Sequence, residues 1–158
     1  PMPTYLILIG FVLGGVVRGI IVGFLVLLTS LIFTDITVQN IPLTLLVVVM
    51  TAFLFSIAGF LNALFADNFD DINIVPTFIL TPLIYLGGVF YSVDLLSNTW
   101  QIVSKANPLL YMVNAFRYGM IGVSDINVQF ALIMITFFIS IFFALAYYLL
   151  KKGYGIRT

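Results

Sequence analysis

"NPLLYMVNAFRYG", residues 107 to 119, decides how this chain is read. Asn107 is a good N-cap and Pro108 suits the first helical position, so a new helix starts here. That helix runs from Pro108 to about Tyr118, before Gly119 and Gly122 end it. It is apolar until Arg117 and far shorter than the ~20 residues needed to cross ~30 Å of hydrocarbon. A preceding short helix is expected from Thr99 to Ala106. Trp100, Tyr111 and Tyr118 suit the headgroup level of a membrane. Two short helices that dip into the outer leaflet and return, over residues 97 to 119, fit best. The alternative is a plain amphipathic hairpin on the surface.

The surroundings make this a membrane question. Of 158 residues, 63% are hydrophobic and 8% are charged, whereas a soluble domain carries about 25% charged residues. Ile36 to Ala66, Ile72 to Val93 and Ile126 to Leu150 contain no Asp, Glu, Lys or Arg. Each is long enough to span a bilayer. The fold class is therefore an all-α polytopic membrane protein. A formal net charge of zero leaves no basic surface for nucleic acid. The chain opens on Pro1 without a charged leader, and we expect a piece of a longer protein.

Four transmembrane helices are expected, at about residues 10–33, 42–65, 72–90 and 128–150. Orientation follows Lys and Arg near the span ends. Lys151, Lys152 and Arg157 place the C-terminal tail in the cytoplasm. Pro1 then lies on the same side, with the "TDITVQN" link and residues 91 to 127 facing outward.

Several residues inside these spans stand out. Gly15, Gly19 and Gly23 recur every fourth residue, which stacks them on one helical face and lets another backbone approach. Glycine is also simply common in membrane helices. Ala52, Ser56, Gly59 and Ala63 form a second stripe, with Asn62 beside it able to bond across an interface. Arg18 lies toward the cytoplasmic start of the first expected span. An arginine inside a span costs roughly 2.5–3.5 kcal/mol on insertion scales. It either snorkels, pairs structurally, or serves transport directly. Pro76 and Pro82, with Gly87 and Gly88, predict a kinked third span; a static kink is the simpler reading and a hinge the sharper one. Asp67, Asp70 and Asp71 read as a solvated turn rather than a hard-cation site. No enzyme chemistry is visible: Cys and His are absent, and there is no phosphate-binding G-x-x-x-x-G-K-[ST] loop. No metal or cofactor is expected on this chain.

"TPLIYLGGVFYSVDLL", then Trp100, then "NPLLYMVNAFRYG", resembles the permease subunit of bacterial ABC-2 type exporters. The opening "PMPTYLILIGFVLGGVVRGIIVG" resembles the segment leading into that family's third span. One departure is Ser97, where such proteins often have proline. The resemblance implies the last four of six spans, with two spans, an interface helix and most of the ATPase-docking helix upstream of Pro1. It implies a paired outer re-entrant segment, with Asn107 and Arg117 fixing the pair, Arg117 through an ion pair or helix-end carbonyls. It further implies a homodimer of permeases in the bacterial inner membrane, bound to separate ABC ATP-binding subunits that carry ATP and Mg. The expected function is export of an amphiphile such as a drug, lipid or lipid-linked glycan. Competing readings are an ion-coupled secondary transporter, disfavoured because most charges lie at span ends, and a non-transporting scaffold.

Overall fold

The computed structural model describes residues 3–34, 38–66 and 68–154. Pro1, Asp67 and Arg157 lie outside them. The described residues are all helical or irregular, with no strand. Among the described residues, three helices are long and apolar enough to cross a membrane: α1 (Thr4–Phe33), α2 (Ile41–Phe65) and a later helix, Val128–Lys151. Their ends follow local chemistry. The Asn40 side chain accepts the Leu43 N–H at the start of α2. That of Asn127 accepts the Gln129 and Phe130 N–H groups before the last helix, and satisfying such orphan donors is what defines a helix start.

Between α2 and the last helix the chain is more broken. α3 (Phe69–Ile74) continues into a wider π segment, Val75–Leu80, and then into α4 (Thr81–Leu86). A capping box between Asn68 and Asp71 starts this rod. Thus Asp71 serves the local backbone, Asp70 is exposed, and no group of three metal-ligating side chains converges among the described residues. The π segment sits between the two prolines and has a local cause. Pro82 lacks an N–H, and in a regular helix its ring collides with the carbonyl four residues back. The wider turn brings the Thr81 N–H onto the Pro76 carbonyl instead, and the Thr81 hydroxyl joins it at 3.2 Å. Where the sequence predicts one span over residues 72–90, the rod therefore changes pitch midway and ends at Leu86. Gly87 and Gly88 turn the chain there, Gly88 with a φ of +71°.

Two short helices, α5 (Asn98–Lys105) and α6 (Pro108–Ile121), precede α7 (Val128–Lys151). Gly122, at φ +74°, ends α6 in the left-handed conformation that favours glycine. The C-terminal end of α6 meets the start of α2: the N–H groups of Gln39 and Asn40 donate to the Met120 and Gly119 carbonyls. Its N-terminal end packs deeper, where Leu109 and Met112 share a core with Val47, Leu54, Ala131 and Ile135 of α2 and α7. A second core, at the opposite end, joins Leu8 and Val12 of α1 to Ile57 of α2 and Ala146 of α7. Outward faces remain apolar: Phe11, Ile21, Phe24 and Ile32 of α1 are all exposed. Such surfaces suit hydrocarbon, not water.

Candidate functional site

The 107–119 stretch builds a polar clamp. Asn107, Tyr111, Asn114 and Arg117 are spaced four, three and three residues apart, so they share one side of α6. Between them they reach α4 and the turn after it, the end of α5, and the loop before α7. The Asn107 side chain donates to the Leu83 carbonyl at 2.6 Å while accepting the Leu109 N–H. The Tyr111 hydroxyl donates to the Lys105 carbonyl at 2.6 Å, at the end of α5. Asn114 is fully buried, and its side-chain oxygen accepts the Asp125 N–H at 2.8 Å, which fixes the loop before α7. Arg117 donates to the Gly88 carbonyl at 2.6 Å and meets the Asp125 carboxylate at 3.4 Å.

The clamp contributes to the backbone bonding at the end of α4. The last four carbonyls of a helix have no partner within it. Here Leu83 is satisfied by Asn107, Ile84 by the Gly87 N–H, and Tyr85 by the Tyr91 hydroxyl. Gly87 also lets α6 approach, since a side chain there meets the Leu109 Cβ at 3.1 Å. Pro108 opens α6 beside these contacts. Sequence reasoning singled out Asn107 and Arg117 but assigned Tyr111 to the headgroup level. The structure instead buries Tyr111 in the core, while Trp100 and Tyr118 are exposed. Asn114 was not anticipated; the four-three-three spacing of polar groups in an apolar helix was the available signal.

The second feature is a groove of about 1050 Å³ along α1, α2 and α6. Gly15 and Gly19 lie where α1 meets α2, Gly15 against Ser56 and Gly19 against Ala52. The Ser56 hydroxyl donates to the Val12 carbonyl at 2.8 Å, a bond across this close approach. Gly23 and Gly59 face open space instead. Asn62 ties α2 to α3 by donating to the Ile72 carbonyl. Arg18 lines the groove, is exposed, and has no hydrogen-bond or ion-pair partner among the described residues. The sequence places it near the start of a span, but α1 begins at Thr4, so Arg18 sits at mid-helix. The contacts of Gly15 and Gly19 set it level with the middle of α2 as well.

Three long apolar helices with apolar outer faces, joined through short helices clamped at their ends, define a helical multi-pass membrane protein. The chain belongs to the ABC-2 type transporter family, whose model matches residues 1–121. It is 47% identical over its whole length to the inner membrane transport permease YadH of Escherichia coli K12, and spans 62% of that protein. The same identity and coverage hold for YadH of Shigella flexneri. Nodulation protein J of Rhizobium leguminosarum bv. viciae is 25% identical over 106 residues, which are 67% of this chain and 41% of that protein. No solved structure gives a significant match.

Proposed function

We propose that the chain is part of the membrane-spanning permease subunit of an ATP-driven ABC-2 exporter that moves an amphiphile out of the cytoplasm. The observation that carries this reading is the match to the ABC-2 family together with the full-length similarity to a transport permease. In this reading a separate ATP-binding subunit hydrolyses ATP with Mg, and two permease copies form the pathway in the inner membrane. ATP binding favours one of two permease conformations, as any conformational driver must bind its two states unequally.

The rod over residues 69–86 then acts with the turn that follows as a fourth crossing, and α5 and α6 as the outer re-entrant pair. The packing of Leu109 and Met112 against Val47 and Leu54, deeper than the contact of Gly119 with the start of α2, supports that arrangement. The C-terminus lies in the cytoplasm, beside Lys151 and Lys152. Reconstitution tests the reading. Full-length permease and its ATP-binding partner in liposomes should move a fluorescent amphiphile only with ATP and Mg. Movement driven by an ion gradient without ATP would instead favour a secondary transporter.

A further inference from the structure

Among the described residues, Arg18 is the one charged side chain in the lining of the α1–α2–α6 groove. Fourteen residues of α1 precede it (4–17) and fifteen follow (19–33), so each helix end is about 21 Å or more away. Its guanidinium therefore starts from the middle of the helix and not from either end. Asp70 and Asp71 give no relief, because they follow the far end of α2, and Arg18 is level with its middle. Around the arginine the walls are apolar, with Phe11, Phe55, Phe60, Met112 and Phe116 among them. Thr51 adds a hydroxyl that makes no hydrogen bond among the described residues. A guanidinium in this position calls for a desolvated anion, which it can grip through two parallel N–H bonds. The rest of the groove calls for hydrocarbon. Its volume lies at the upper end of the ~300–1,000 Å³ found for small-molecule sites.

We infer that this groove binds an anionic amphiphile drawn from the surrounding bilayer, with its acidic head on Arg18 and its apolar tail along α1, α2 and α6. The inference rests on the permease reading and narrows its cargo to lipid-like anions.

The test is photolabelling of the full-length protein in nanodiscs, without ATP. The probes are phosphatidic acid and phosphatidylcholine carrying the same diazirine acyl chain. Wild-type protein should take up phosphatidic acid in groove peptides about tenfold more than phosphatidylcholine, the preference expected of one charge-assisted contact. Arg18→Gln should reduce that ratio to near one, and Arg18→Lys should restore part of it. Gly59→Leu, which fills open space in the groove, should reduce labelling by both probes. Equal labelling of the wild type by the two lipids overturns the inference, as does unchanged preference in Arg18→Gln. It also fails if a helix from the rest of the chain or a second copy covers the groove and excludes both lipids. If Arg18→Gln does not fold, the wild-type ratio and competition by unlabelled phosphatidic acid still decide the matter. Because binding is read without ATP, its failure leaves ATP-driven export standing, and failure of export leaves the labelling result standing.

Discussion

Arg117 holds two partners of unequal worth. Its 2.6 Å bond to the Gly88 carbonyl is short and charge-assisted, whereas the 3.4 Å contact with Asp125 is long. Bonds to charged groups contribute ~1.5–3 kcal/mol, and partly exposed ion pairs often under 1. Arg117→Ala should therefore lower the melting temperature of the full-length protein in detergent clearly more than Asp125→Ala does. It should impair assembly or gating rather than substrate choice. Equal losses would place the energy in the ion pair instead. Asn114→Ala removes the acceptor of the Asp125 N–H in a fully buried position. The cost should be about 1–3 kcal/mol, that of leaving a buried donor unpaired, and faster hydrogen exchange at residues 124–126 would report it.

Between elements, the α1–α2 seam separates glycines that alternative readings of the sequence treat alike. A methyl group at Gly15 collides with the Ser56 side chain, whose hydroxyl is held by Val12. Gly15→Ala should destabilise by ~1–3 kcal/mol, as overpacking does. Gly23→Ala meets nothing within 4 Å and should be neutral or slightly stabilising through helix propensity. Thermal unfolding of the two variants side by side checks both outcomes. Much of the helical layout was legible in sequence. Asn107-Pro108 announces a helix start and Gly122 announces an end, because caps are local chemistry. The π segment was not, since two prolines predict a disturbance without saying which hydrogen bonds replace those lost. Nor were the Leu83 and Gly88 carbonyls as clamp partners, because residues 24 and 29 positions apart meet only through the fold. The place of Arg18 along α1 was not legible either, because an apolar run marks where a helix can lie in a bilayer, but not how far the helix extends beyond it.

At the scale of the whole molecule, the described helices form a bundle with apolar outer faces, and side-chain bonds clamp its pair of short helices. A reporter fused after Lys152 checks its orientation. A fluorescent protein that matures only in the cytoplasm should be bright there, and a periplasm-dependent phosphatase should be inactive. The opposite pattern would invert the topology. The central claim is that this chain works with a separate ATP-hydrolysing partner. It is tested most directly by co-expressing the full-length tagged permease with the neighbouring P-loop ATPase and measuring ATPase activity in the purified material. The account predicts a stable complex whose ATPase activity depends on the permease. If the intact protein captures no ATPase, or the activity is indifferent to its presence, the account is contradicted, and an ion-coupled carrier or a scaffold becomes the better description.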